Sequence, residues 1–218
     1  MDDISNKIEK RFENVSRSKT FANILKTFDL GNKSVLDLGC SYGEFLKHFG
    51  PGSVGLTISE YELEQGKKRG VDIRLGNIES DQVVLEEKFE VIFANNLFEH
   101  LLSPHDFLCK IKNYLKPEGV LILGVPCFPK ILPLLRLSKW NGSLATAHIN
   151  FFTRETLVET VKRAGWHISE VRGFRFFGEL ADHFFDPIYP HFYVIATVDP
   201  DFTYSSSRLK ELEGYNRK

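Results

Sequence analysis

Two glycines and an aspartate near the start of the chain have the spacing of a ligand-binding turn. The segment SVLDLGCSYGEFL (34–46) places Asp37 near the end of an apolar run, with Gly39 and Gly43 after it. Glycine permits a tight turn and lets a ligand approach bare backbone. We expect a helix to begin near Gly43, so that its free N–H groups attract the negative part of a ligand. An acid just before the turn suits a ligand that also carries an ammonium group or other donors.

Two histidines are candidates for acid–base chemistry. His100 follows a predicted strand over 89–95, and His148 lies before the run INFFT (149–153). Either side chain could take a proton from a reacting group, and either could instead support a loop. We expect Glu99 to bond to backbone or helix rather than to act as an acid. We interpret four further histidines as surface or packing residues: His105, His167, His183 and His191.

A scaffold must position these residues. The pattern of the chain predicts one in which strands and helices alternate. Helical spacing covers 4–28, and the later helical stretches are 43–49, 60–69, 80–87, 103–115 and 153–165. The predicted strands are 34–38, 53–59, 71–75, 89–95, 120–125, 166–176 and 192–198. The strand VLILGV (120–125) is apolar throughout, which is typical of parallel sheets covered on both faces. Ser103 and Thr153 are predicted helix caps.

This pattern predicts an α/β fold: a doubly wound, mostly parallel seven-stranded sheet with an antiparallel last strand and helices on both faces. Ligands bind such sheets beyond the carboxyl ends of the strands, where the strand order reverses. The segments 38–43, 57–62, 76–79 and 95–100 should therefore lie along one rim. We predict a single domain over 1–218, with an N-terminal helical cap (1–30) and substrate-side insertions at 126–152 and 174–193.

Composition narrows the classes of partner. The 218 residues are 42% hydrophobic, which suffices for one substantial core. The formal net charge of −1 gives no basic excess for nucleic acid. The N-terminus is charged, and no apolar run reaches the roughly 20 residues that span a bilayer, so we expect a cytoplasmic protein without stable membrane insertion. Three scattered cysteines do not form a zinc motif, and no metal site is predicted.

Five segments in order resemble the class I S-adenosylmethionine-dependent methyltransferases, in particular a small-molecule subgroup. They are VLDLGCSYGEFL (35–46), SVGLTIS (53–59), LGNIES (75–80), FEVIFANNLFEHLLSP (89–104) and YLKPEGVLILGVP (114–126). AHINFFTRETLVETVKRAGW (147–166) resembles the approach to the sixth strand. The resemblance implies S-adenosylmethionine as cofactor. It also implies methyl transfer to a small molecule such as a sugar, a lipid, a quinone-like compound or another secondary metabolite.

The resemblance also assigns roles to single residues. It places Gly39 and the backbone of Cys40 and Ser41 under the methionine end of the cofactor, with Cys40 as a packing residue, and it counts Gly43 among the cofactor-binding residues. Asp37 would lie near the amino group, and Asn95 would close the methionine side. Asn77 and Ile78 would lie beside the adenine.

One position departs from the family. Members usually end the second strand with an acid that binds both ribose hydroxyls, and here Thr57 stands at that position, followed by Ile58. Glu60 or Glu62 could reach the ribose instead. Equally, both acids could simply complement the dipole of the helix that they begin.

Other functions remain open alternatives. Thr57 and Ser41 motivate a non-catalytic cofactor-binding or scaffold protein, and GLTIS resembles a run in fatty-acid cyclopropane synthases. An oxidoreductase is disfavoured because G-x-G-x-x-G is missing. Nucleic-acid methylation is disfavoured by the charge and by Asn95-Asn96-Leu97-Phe98, where an Asn/Asp-Pro-Pro-aromatic motif would stand. The aromatic insertions predict an acceptor pocket or a lid, and a homodimer interface also fits them.

Overall fold

The computed structural model describes residues 2–80, 85–129, 147–173 and 186–208. Its helices are α1 (Asp2–Ser16), α2 (Lys19–Thr27), α3 (Glu60–Lys67), α4 (Pro104–Ile111) and α5 (Arg154–Arg163). Its strands are β1 (Val35–Leu38), β2 (Val54–Thr57), β3 (Ile73–Leu75), β4 (Phe89–Asn95), β5 (Leu115–Pro126), β6 (Trp166–Gly173) and β7 (His191–Val198). Most residues of the predicted insertions, at 126–152 and 174–193, lie outside the described residues.

The strands form one seven-stranded sheet in the order β3-β2-β1-β4-β5-β7-β6. The pairs from β3 to β5 are parallel, whereas β7 runs antiparallel to both β5 and β6. The predicted fold class is therefore confirmed. The chain moves outward from β1 to β3 and then returns to place β4 on the other side of β1. This reversal opens a crevice at the carboxyl ends of β1 and β4.

Apolar layers cover both faces of the sheet, which explains why the central strands are buried throughout. On one face, Phe107 of α4 and Leu157 of α5 belong to the larger core cluster. On the other face, Ile24 of α2 packs with Val35 and Phe93. Helices therefore cover both faces of the sheet, as the sequence predicts.

Two helix starts were predicted from cap residues, and they differ in their hydrogen bonds. Thr153 precedes α5 and forms a reciprocal capping box with Thr156. Ser103 occupies the cap position of α4, but its side chain makes no capping bond. The backbone N–H groups of Leu102 and Ser103 instead donate to the carboxylate of Glu79, at 3.1 and 2.7 Å.

The predicted helix over 43–49 is wrong. Gly43 adopts φ +84° and Ser41 φ +49°, so the chain turns tightly here, and only a short 3-10 helix follows at Leu46–His48. Space also restricts this turn, because a Cβ on Gly43 would lie 2.8 Å from Cγ2 of Val71. Gly43 thus serves an interior turn rather than a helix start. Of the helix predicted over 80–87, the described residues 80 and 85–87 are not helical.

None of the helices in the described part of the chain combines the length and apolar character needed to cross a bilayer.

Candidate functional site

A cleft opens at the carboxyl ends of β1, β2 and β3, on the rim that the sequence predicts. Each of the four predicted rim segments contributes to it. Its lining residues are Leu38, Gly39, Ser41, Leu56, Thr57, Ile58, Glu62, Gly76, Ile78 and Leu97. The volume is about 170 Å³, below the roughly 300–1,000 Å³ of complete small-molecule sites. These residues therefore form one section of a ligand site.

Glu62 supplies the carboxylate of this cleft, because the first turn of α3 directs it back toward the end of β2. Ser59 caps α3 by accepting a hydrogen bond from the Glu62 N–H. The Thr57 hydroxyl donates to Oε2 of Glu62, and the Ser41 hydroxyl donates to Oε1 at 3.0 Å. Glu60 is exposed and does not line the cleft. Of the two acids considered from sequence, the structure brings only Glu62 to Thr57.

The backbone amides of the glycine turn are already used within the protein. The N–H groups of Gly39 and Cys40 both donate to the carbonyl of Leu56 at 3.0 Å. The Tyr42 N–H donates to Oε2 of Glu44, and the Gly43 N–H donates to the Cys40 carbonyl. The expected anion-binding helix start is therefore wrong for this turn, since its N–H groups bond to β2 and to the turn itself.

Asp37 lies beneath the cleft rather than in its lining. Its side chain is buried, and Oδ2 has no hydrogen-bond partner among the described residues. Burial raises the pKa of Asp37 well above its ordinary value, and the nearby Glu44 raises it further. A buried acceptor without a partner is costly. A ligand that donates hydrogen bonds at this point would remove that cost.

The N-terminal helix α1 is tied to the same turn by an ion pair. Nε of Arg11 donates to Oε1 of Glu44 at 2.8 Å, and Glu44 itself is almost fully buried. The Arg11 guanidinium also lies over the Tyr42 ring, 5.3 Å from its centroid. At the other side of α1, Glu9 pairs with Arg69 at 2.6 Å.

Several residues assigned by resemblance do not line the cleft. Cys40 is buried under β2, where a Cβ on Gly55 would lie 2.6 Å from its Sγ, and burial raises the pKa of the thiol. Asn77 is exposed and its Oδ1 accepts the Glu79 N–H. Asn95, at the end of β4, has a buried Oδ1 without a hydrogen-bond partner in the described structure. Gly43 packs against Val71, as described above.

The two candidate histidines meet around Glu99. The 3-10 helix Phe98–His100 follows β4, and the segment 147–150 lies against it: the N–H groups of Ile149 and Asn150 both donate to the Glu99 carbonyl at 3.0 Å. As a result, the rings of His100 and His148 lie 4.8 Å apart. The buried Glu99 side chain points between them, and burial raises its pKa. Sequence reasoning assigned Glu99 to backbone contacts, and the structure shows that its carbonyl makes them while its carboxylate does not.

A further histidine lies close to the end of β4. His191, at the start of β7, was predicted to be a surface or packing residue. Its Nε2 lies 3.1 Å from Oδ1 of Asn96, its Nδ1 is buried without a described partner, and burial lowers its pKa to about 4. A Cβ on Gly124 would contact both the His191 ring and Oδ1 of Asn95.

Comparison with known proteins identifies the family. A family model described as a methyltransferase domain matches residues 9–171. A mitochondrial ubiquinone biosynthesis O-methyltransferase of Schizosaccharomyces pombe is 26% identical over 159 residues, which cover 65% of this chain and 57% of that protein. A ubiquinone biosynthesis O-methyltransferase of Glaesserella parasuis is 30% identical over 113 residues, covering 45% and 48%. The matches thus span about half the length of these relatives.

Solved structures show the same fold at low identity. An S-adenosylmethionine-dependent methyltransferase of Clostridium acetobutylicum has a TM-score of 0.65 at 12% identity, over 89% of this chain and 99% of that one. Another, from Mesorhizobium loti, has a TM-score of 0.61 at 14% identity, over 84% and 99%. Together with the sheet order and the cleft at the strand ends, these matches place the chain in the class I methyltransferase-domain family, whose cofactor is S-adenosylmethionine.

Proposed function

We propose that the protein is a methyltransferase that transfers the methyl group of S-adenosylmethionine to a hydroxyl of a small-molecule acceptor. A quinone-like aromatic compound is the first candidate, because the curated relatives are named as ubiquinone biosynthesis O-methyltransferases. The observation that carries the proposal is the carboxylate of Glu62 in the cleft, held by the hydroxyls of Ser41 and Thr57. It supplies the acid that the second strand lacks.

The cleft residues fit an adenosine group. A carboxylate offers about four lone-pair sites, and the hydroxyls of Ser41 and Thr57 use two of them. The other two suit the two hydroxyls of a ribose. Ile78 and Leu97 give the cleft apolar walls on which an adenine would pack. The unpaired Oδ2 of Asp37 and Oδ1 of Asn95 are acceptors suited to the ammonium group of the cofactor.

When bound, S-adenosylmethionine supplies the reactive carbon: an acceptor oxygen bonds to the methyl group while the C–S bond breaks, its electron pair stays on sulfur, and S-adenosylhomocysteine remains. The protein must orient the acceptor behind the methyl group, and orientation alone can supply roughly 7–11 kcal/mol of the barrier. The acceptor hydroxyl must also lose its proton. His100 and His148 are proposed for the acceptor side, where one of them would assist that loss.

The experiment measures binding and turnover separately. Calorimetry with S-adenosylhomocysteine tests the cleft, and release of S-adenosylhomocysteine in the presence of dihydroxy-aromatic acceptors tests methyl transfer. Gly39→Val is the negative control, because Gly39 has φ +71° and a Cβ there would lie 3.1 Å from Cδ1 of Leu97. Absence of binding to the folded wild-type protein would refute the proposal. Tight binding without turnover on any acceptor would favour the non-catalytic alternative.

A further inference from the structure

Three potential metal ligands converge beside the cofactor cleft, outside the residues that line it. The carboxylate of Glu99 and one ring nitrogen each from His100 and His148 all lie within 4.8 Å of one another. Oε1 of Glu99 is 3.8 Å from Nε2 of His100 and 3.8 Å from Nε2 of His148. These separations exceed hydrogen-bond distance, so the three groups face one another without bonding directly.

Glu99 is the group that points to a ligand. Its side chain is only 1% exposed, and neither carboxylate oxygen accepts a hydrogen bond in the described structure. A buried carboxylate is normally paired or bound to a metal, because its desolvation is otherwise uncompensated. Here two imidazole nitrogens lie at equal distance from its Oε1.

The orientation of the His100 ring leaves its Nε2 suited to bind a cation rather than to donate a hydrogen bond to Glu99. Its Nδ1 lies 2.9 Å from the carbonyl oxygen of Ala147, and a carbonyl can only accept, so Nδ1 carries a hydrogen. In the neutral ring this leaves the lone pair on Nε2, which faces Glu99. Metal-binding histidines commonly donate their other N–H to a backbone carbonyl in this way, which fixes both the ring and its tautomer.

The site is held together by contacts besides the ligands themselves. The N–H groups of Ile149 and Asn150 bond to the Glu99 carbonyl, and the Asn150 side chain donates to the Leu101 carbonyl at 2.6 Å. These bonds fix the segment that carries His148 against the 3-10 helix that carries Glu99 and His100. His100 is 37% exposed while His148 is 11% exposed, so one side of the cluster is open for a further ligand.

We propose that Glu99, His100 and His148 bind one divalent transition-metal ion of the Zn²⁺ type. One carboxylate oxygen and two imidazole nitrogens form a ligand set used by catalytic zinc, which keeps an open position. Mg²⁺ is disfavoured because it prefers oxygen ligands. Since Leu97 lines the cleft and Glu99 follows two residues later, an acceptor oxygen could occupy the open position, and the bound ion rather than a histidine would then promote the loss of its proton. That last role rests on the proposed function, whereas metal binding does not.

The test is a titration of the chelator-treated full chain with Zn²⁺ by calorimetry, and with Co²⁺ by visible absorption. The variants are Glu99→Gln and His148→Ala, with His167→Ala, an exposed histidine on β6, as the matched control. We expect one ion per wild-type chain and affinity at least about tenfold lower in both variants, since even outer-shell changes cost 10–100-fold. The control should bind like the wild type.

Thermal unfolding checks that the variants are folded and adds a second readout. Zn²⁺ should raise the melting temperature of the wild type and of His167→Ala but not that of Glu99→Gln. The inference is overturned if the wild type binds no ion at one equivalent, or if Glu99→Gln and His148→Ala bind it as tightly as the wild type. Methyl transfer by a protein that binds no Zn²⁺ would refute this inference and leave the proposed function standing.

Discussion

The hydroxyl of Thr57, at the end of β2, donates a hydrogen bond to Oε2 of Glu62, in the first turn of α3. The resemblance predicts an acid at the position of Thr57, and the Thr57 hydroxyl instead bonds to an acid of the next element. Ser41, in the glycine turn after β1, bonds to the other oxygen of the same carboxylate at 3.0 Å. The carboxylate is therefore fixed from two strand ends, which makes Glu62 the residue to test first.

Glu62→Gln should weaken S-adenosylhomocysteine binding by about tenfold or more, because hydrogen bonds to a charged group contribute roughly 1.5–3 kcal/mol. Glu60→Gln is the matched control, since it removes an exposed acid from the same helical turn without altering the cleft. Calorimetry on both variants measures the effect. Equal loss in the two variants would show that general charge, rather than the position of Glu62, matters.

Thr57→Val should weaken binding of the same ligand by a smaller amount. The substitution keeps the shape of a buried side chain but removes the donor that orients Glu62, which is worth about 0.5–1.5 kcal/mol, or roughly two- to tenfold. Thr57→Ser keeps the hydroxyl and should retain most of the affinity. If the serine variant loses as much as the valine variant, the hydroxyl is not the group that matters.

Asp37→Asn should alter the pH dependence of stability. Burial holds the folded pKa of Asp37 above the roughly 3.9 of an unfolded chain. The native state therefore binds this proton more tightly, and the associated stability is present below about pH 4 and lost as the pH rises through the folded value. The asparagine variant lacks this loss, so its stability relative to wild type should increase as the pH rises above about 4.

Urea unfolding of the ligand-free proteins at several pH values measures this difference. Asp201→Asn, at an exposed position, controls for the simple removal of one negative charge. A difference between Asp37→Asn and wild type that stays constant with pH would contradict the assignment. The same variant should bind S-adenosylmethionine more weakly if Oδ2 accepts from the ammonium group.

Arg11→Met should destabilise the folded protein, because it leaves the buried carboxylate of Glu44 without its cation. An uncompensated buried acceptor costs about 1–3 kcal/mol, and Arg11 is half exposed, so we expect the lower part of that range. The double variant Arg11→Met/Glu44→Gln should recover most of the loss, since no charge then remains buried.

Chemical denaturation of Arg11→Met, Glu44→Gln and the double variant completes this cycle. Arg17→Met removes an exposed partner of Glu13 and should change stability by less than about 0.5 kcal/mol. A loss in Arg11→Met that the double variant does not recover would mean that the arginine acts by packing, for instance on the Tyr42 ring, rather than by charge.

Local signals predicted the elements well where the residues themselves dictate them. The segment 34–38 contains β1 and the apolar run 120–125 lies within β5, because a mostly apolar strand is stable when both of its faces are covered. Thr153 begins α5 as predicted, since its cap is made within four residues. The helix expected at Gly43 is absent because Ser41 and Gly43 adopt positive φ angles, which a right-handed helix does not contain.

The sequence by itself determined the succession of the seven strands, and with it the sheet class, the rim and the resemblance to the family, because periodicity and turn residues act over a few positions. The tertiary structure alone decided which of two nearby acids reaches the cleft, that the Gly39 and Cys40 amides bond to β2, and that His148 meets His100 across Glu99. Each of these contacts joins side chains or backbone groups brought together by separate elements. Their distances follow from how the elements pack, which no local pattern in the chain records.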